Sequence, residues 1–355
     1  MRRLLLGSYV AIILAFQWPF PGKADPQTLG IILPLSGKAA NAGIAVRNGA
    51  TLANESLQQP FKLIFEDNEL DNAKTVTAAR KLISTDKVSG LIVYASGPSN
   101  AAAPIAEQAK VPMIGLSVDP NVSRGRNWVM IHWASNEAVA KQLVSELVRR
   151  NLKTVAILTT QVQGNLDLEE VFLRTAKAAG LAIVFQTQIL PTEMEFGSVL
   201  LQLQRKAPAA VFINLYYGQA GAFVLQSATR HFSPQFCGHY VLDNEAEIAS
   251  AHGALEGAFF ASTGAGDLSF DRDYQQRFGA RPILGAIGAF DVVGLMSAAA
   301  QNAPDSERFN RNLHQTRNFR GRIGRYDALD DNTFDVPAGL GVVQNGSIVR
   351  VPSGK

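Results

Sequence analysis

The stretch "ASGPSNAAAP", residues 95–104, holds the first residues in this chain whose types and spacing suggest chemistry. It follows the apolar run "GLIVY" and opens a helical pattern. That places Ser99, with Asn100 beside it, at the start of a helix after a strand. A helix start leaves N–H groups unpaired and carries a partial positive charge. Ser99 is therefore a candidate contact for a carboxylate, or a cap that satisfies the helix through its own hydroxyl. A second stretch, "GIILPLSGKAANAG", runs from a buried-type strand into Ser36, Gly37 and further small residues up to Gly43. Those residues either border a space that something else fills or form an ordinary strand-to-helix loop.

Other reactive constellations are missing from the sequence. It contains no GxSxG, no GxxxxGK[ST], no GxGxxG after a strand and no HExxH. The five histidines, His132, His231, His239, His252 and His314, have no metal-ligand spacing. Acidic residues are scattered, and their spacing nominates no acid/base pair. The reading is a binder, not an enzyme, with no metal and no cofactor.

These candidates must be positioned by regular elements. From Thr28 onward short apolar runs alternate with helical patterns: "LGIIL", "FKLIFE", "GLIVY" and "VPMIGL" read as strands. "DNAKTVTAARKLIS" reads as a helix capped by Asp71. The rhythm restarts near residue 135 with "EAVAKQLVSELVRRN" and "TVAILT". Alternation of this kind predicts α/β architecture with parallel sheets in two lobes. No Gly/Ser-rich linker separates them, so short structured crossovers are expected. Near the end, "QNGS" reads as a hairpin turn.

Composition agrees with a globular chain: 355 residues, 47% hydrophobic and 18% charged. Residues 1–24 read as a cleaved signal peptide, with Arg2 and Arg3 ahead of an apolar core and Gly22 and Ala24 at a cleavage site. Removing Arg2, Arg3 and Lys23 from the 33 basic residues leaves them equal to the 30 acidic ones, so nothing argues for nucleic acid. Cys237 is the single cysteine, which excludes an internal disulfide. Export without disulfides suggests a periplasm.

The segments "LGIILPLSGKAANAGIAVRNGATLANE", "FEDNELDNAKTVTAARKLISTDKVSGLIVYASGPSNAAAPIAEQAKVPMIGLS" and "FRGRIGRYD" resemble the leucine/isoleucine/valine-binding family of type I periplasmic binding proteins. The resemblance covers nearly all of the chain past the leader. It implies two Rossmann-like lobes, three hinge crossovers and a ligand cleft between the lobes. By that likeness residues 25–135 and 257–324 form the first lobe, and residues 136–256 and 325–355 the second. It implies that Ser99 binds the carboxylate of a ligand and that "GLSVDP" brings Ser117 and Val118 to the cleft. Val118 stands where a Thr is common. "INLYYGQAG" matches an aromatic contact, Tyr217 or Tyr216. The acidic residue that pairs a ligand ammonium falls on Tyr240, with Asp243 three residues on. Ala42, and Gln161, Gln163 and Gly164, stand where aromatic residues are usual.

The resemblance thus keeps the carboxylate seat and loses the acid at the ammonium seat. The expected function is the solute-binding component of an ABC importer, taking an amino acid or a related organic or aromatic acid. Its expected partners are that ligand and a membrane permease, and the expected state is a monomer. A sensor on the same fold for an amide, a urea-like compound or an organic acid, feeding a receptor or regulator, is the alternative.

Overall fold

The computed structural model describes residues 27–263 and 268–351. The leader and cleavage site lie outside the described residues. Two sheets organise the molecule, and each grows from the strand-helix alternation visible in the sequence.

The first begins with β1 (Gln27–Leu33), α1 (Ala40–Ser56), β2 (Phe61–Asp67), α2 (Asn72–Ser84), β3 (Gly90–Tyr94), α3 (Ser96–Ala109), β4 (Met113–Leu116) and β5 (Val129–Ile131). Its order is β2-β1-β3-β4-β5, all parallel. Helices on both faces require strands apolar on both sides, and β1 from Leu29 to Leu33, β3 from Gly90 to Val93 and all of β4 are buried. The cap expected at Asp71 is present: its carboxylate accepts the Lys74 N–H.

The second sheet takes α4 (Asn136–Arg149), β6 (Thr154–Thr160), α5 (Gln163–Ala178), β7 (Ala182–Ile189), α6 (Gly197–Lys206), β8 (Ala210–Asn214), α7 (Gln219–Thr229), β9 (Gln235–Gly238), α8 (Glu245–Ser250) and β10 (Phe259–Thr263). The chain then returns to the first lobe as α9 (Leu268–Phe278), α10 (Ala286–Ala300), α11 (Ser306–His314) and the short pair β11 (Phe319–Arg320) and β12 (Arg325–Tyr326). Finally β13 (Ala338–Gln344) and β14 (Ser347–Val351) join the second sheet, whose order is β14-β13-β10-β9-β8-β6-β7. The final hairpin pairs antiparallel, so this sheet is mixed. Its turn is the Asn345–Gly346 pair of the "QNGS" motif, both with positive φ.

Two expected lobe boundaries are corrected. The chain leaves the second sheet after Thr263, not near residue 257, because β10 is hydrogen-bonded between β9 and β13. It re-enters at Ala338, not at 325, because Tyr326, Ala328, Phe334 and Val336 are buried in the core of the first lobe. In the first passage Trp133 packs into the first core and Ala134 into the second. The Ala134 N–H donates to Thr263 Oγ1 at 2.8 Å, tying two of the passages together.

Close packing explains part of the small-residue run. A Cβ at Gly43 would lie 2.0 Å from the Pro34 carbonyl oxygen, so only glycine lets α1 cross the end of β1 there. Gly49 meets the Ala286 carbonyl oxygen in the same way and lets α1 lie against α10.

Candidate functional site

In a sheet of order 2-1-3-4-5, β1 and β3 are neighbours whose following helices cross to opposite faces, leaving a crevice at their carboxyl ends. The residues after β1, β3 and β4 therefore form one wall of any site. The second sheet repeats the order with β7-β6-β8-β9-β10, and the residues after β6, β8 and β9 form the other wall.

On the first wall the helix start is three residues earlier than expected. α3 begins at Ser96, and the residue before it, Ala95, has φ 75° and ψ 151°, a region that costs a non-glycine about 1–3 kcal/mol. No side chain caps the helix. The first N–H groups, those of Ser96 and Gly97, thus have no intrahelical acceptor, and Pro98 contributes none. Ser96 Oγ accepts from Ser117 Oγ at 2.9 Å, and Ser117 Oγ accepts the Asp119 N–H. Ser96 is partly exposed and Ser117 is buried.

Ser99 is corrected. It lies one turn inside the helix, fully buried, with its N–H on the Ala95 carbonyl and its Oγ donating to the Val93 carbonyl at 3.1 Å. Its side chain packs over Gly115. It neither caps the helix nor faces the crevice, and Ser96 holds the position expected of it. Asn100 is also turned inward and donates to Asp119 Oδ2 at 2.7 Å. Ser36 is exposed, and its N–H and hydroxyl engage Asp67, whose carboxyl these bonds hold below its ordinary range against the cost of burial. Ala42 is half-buried on α1.

The second wall is aromatic. Tyr240 follows β9 and stands 6.2 Å from the ring of Tyr217, which in turn lies 5.6 Å from Tyr216. Tyr217 is 42% exposed. Its hydroxyl is nonetheless raised well above the tyrosine range by burial, then by Tyr240 and by Tyr94 of the opposite wall. Burial pushes the Tyr94 and Tyr240 hydroxyls up to about 12.

Asp243 is corrected as an ammonium partner. It is buried, accepts Ser262 Oγ at 2.6 Å and pairs with Arg350 of β14 at 2.8 Å. Gln163 is exposed and donates its amide to Asp167 one turn along α5, so it too is not aimed at the crevice.

A small pocket opens beside the second wall, lined by Val118, Trp133, Gly164, His239, Tyr240 and Ser262 among others; Ser96, Ser117 and Tyr217 do not line it. None of the residues lining it is Asp, Glu, Lys or Arg. Sequence reasoning missed two participants, Ser96 and His239. Pro98 was a signal for the first, because proline belongs in the first turn of a helix. Nothing in the sequence marked the second. Among the described residues no cluster could hold a metal ion, and no helix is long and apolar enough to cross a membrane.

Residues 26–347 match the family model described as periplasmic binding protein. A curated relative from Brucella abortus, Leu/Ile/Val-binding protein homolog 8, is 24% identical over 347 residues, covering 86% of this chain and 84% of its own. The branched-chain amino acid transporter substrate-binding protein of Streptococcus pneumoniae, solved with isoleucine, aligns with TM-score 0.78 at 21% identity, over 91% of this chain and 97% of its own. A solute-binding protein of an ABC transporter from Rhodopseudomonas palustris, solved with 3,4-dihydroxybenzoic acid, aligns with TM-score 0.77 at 20% identity, over 92% and 96%.

Proposed function

Because this chain belongs to the periplasmic binding protein family, a family of solute binders and not of enzymes, we propose that it is the substrate-binding component of an ABC importer, closing its two lobes on a small carboxylate-bearing ligand. The leader at residues 1–24 would export it to the periplasm, where it would act as a monomer and hand its ligand to an inner-membrane permease. The relatives' ligands, isoleucine and 3,4-dihydroxybenzoic acid, share a carboxylate and little else, which supports that group as the common denominator.

One observation carries the reading: the uncapped start of α3, where two N–H groups without an intrahelical acceptor and the Ser96 hydroxyl stand at the carboxyl end of β3 beside Ser117. Backbone N–H groups and a helix dipole stabilise an anion without a basic side chain. Closure adds the second requirement. The ligand must bind the closed arrangement better than the open one, so it must touch both walls.

The test compares acids with their own amides. Benzoate and leucine are titrated into the purified protein beside benzamide and leucinamide, with melting temperature as readout. A true ligand at 100 times its dissociation constant adds about 2.7 kcal/mol of stability. At least one acid is expected to raise the melt while its amide does not. Amides that match their acids would sink the carboxylate assignment.

A further inference from the structure

His239 is 1% exposed, lines the pocket between the lobes, and has no side-chain partner at either ring nitrogen. The Leu215 carbonyl is the one backbone acceptor that acts on the ring, and it favours the charged form. The ring is fixed edge-on against Tyr240, centroids 4.5 Å apart. A buried polar group without a partner costs about 1–3 kcal/mol, and native proteins hold few of them. A buried ring with no side-chain partner and at least one nitrogen unused, at the surface of a pocket, indicates a partner that arrives with the ligand.

The chemistry of that partner follows from what surrounds the ring. Burial lowers the His239 pKa to about 4, so the imidazole is neutral at pH 7 and offers one N–H and one lone pair. The two buried acids that follow it in sequence, Asp243 and Glu247, are already engaged. Asp243 is held by Arg350 and Ser262, and Glu247 accepts the Gly218 and Gly221 N–H groups at the start of α7. A ligand ammonium placed here would find no carboxylate, and an unpaired buried charge is expensive. A hydroxyl, which donates one hydrogen bond and accepts another, fits a neutral imidazole. Trp133 and Tyr240 border the same pocket and suit a flat apolar body between the two polar ends.

Resting on the carboxylate reading above, we infer that His239 selects the far end of the ligand, and that the ligand is a hydroxyl-bearing carboxylic acid in place of an amino acid. Ser96 and the α3 N–H groups take the carboxylate, and His239 takes the hydroxyl.

Isothermal titration with benzoate, 3,4-dihydroxybenzoate and leucine tests this on the wild type and on His239→Leu and His239→Gln. In the wild type 3,4-dihydroxybenzoate is expected to bind at least about tenfold tighter than benzoate, because a site built to hydrogen-bond a hydroxyl rejects the analogue without one. Leucine is expected to bind more weakly than either. His239→Leu should melt at or above the wild type and bring the two benzoates within about twofold of each other, while His239→Gln keeps part of the preference. Equal affinity for the two benzoates in the wild type overturns the inference, as does a preference that survives His239→Leu, or leucine binding best. Those results leave the carboxylate seat standing. Failure of all three acids to bind removes the seat and the inference together. If His239→Leu does not fold, the wild-type comparison and His239→Gln decide.

Discussion

The strand ends of the first lobe carry hydroxyls that bond one another, Ser117 to Ser96, and an Asn100–Asp119 pair behind them. The strand ends of the second lobe carry rings, Tyr216, Tyr217, Tyr240 and His239, and leave the imidazole without a side-chain partner. Both walls come from the same 2-1-3-4-5 order of strands, so the fold does not account for the contrast. The difference lies in what each wall has left to satisfy. The first keeps backbone N–H groups, which suit a negative charge whatever the rest of the ligand is. The second keeps a neutral donor–acceptor ring, which discriminates among uncharged groups. A general anchor faces a specific reader across the gap.

The largest way to break this contrast is at Arg350. Replacing Arg350 with Met leaves Asp243 buried and unpaired, and is expected to cost about 3–5 kcal/mol in urea unfolding. Adding Asp243→Asn removes the stranded charge and should recover much of that loss. If the single variant loses little, Asp243 is free to serve as an ammonium partner, and the second wall is not the neutral surface described here.

Acid titration sharpens the comparison next. The His239 pKa falls from 6.5 to about 4 on folding, and that of His132 to about 3, both through burial. A depressed folded value means that the stability is present above pH 6.5 and lost as pH falls towards the folded value. For His239 alone the loss between pH 6.5 and 4 is about 3 kcal/mol. Asp291, buried in the first lobe beneath Tyr326, acts in the opposite direction. Its pKa rises to about 6, so its contribution grows as pH falls from 6 to 3.8 and partly offsets the histidines. His239→Leu should therefore flatten the dependence of unfolding free energy on pH between 6.5 and 4. Parallel curves for variant and wild type would show that the ring is not held neutral.

The smallest test separates two serines three residues apart. Ser96→Ala should weaken a bound carboxylate by about 1–3 kcal/mol with little change in melting temperature. Ser99→Ala should lose about 1 kcal/mol of stability, since it breaks a buried bond to the Val93 carbonyl, and leave affinity unchanged. The reverse pattern, measured by titration and melting of both variants, would return Ser99 to the ligand.

The elements that depend on local pattern were legible. "LGIIL", "GLIVY" and "VPMIGL" contain the cores of β1, β3 and β4, and Asp71 caps α2 as its type and position suggested. The turn at Asn345–Gly346 followed from residues that accept positive φ. The lobe boundaries were less legible, because an apolar strand such as β10 carries no mark of which sheet it joins. Ser99 was misplaced for a related reason. Ala95 adopts an unfavourable conformation that no propensity would assign to alanine, and it starts the helix early.

By itself the sequence determined that this chain alternates strands and helices in two runs, that Asp71 caps its helix and the final hairpin has a turn, and that it carries no catalytic motif. Those follow from periodicity and from residues acting on their own neighbours. Only the tertiary structure decided that α3 starts at Ser96 and buries Ser99, that Arg350 removes Asp243 from service, and that His239 is left without a side-chain partner. Asp243 and Arg350 are 107 residues apart, and whether a polar group is satisfied depends on what folding brings beside it and how far water is excluded.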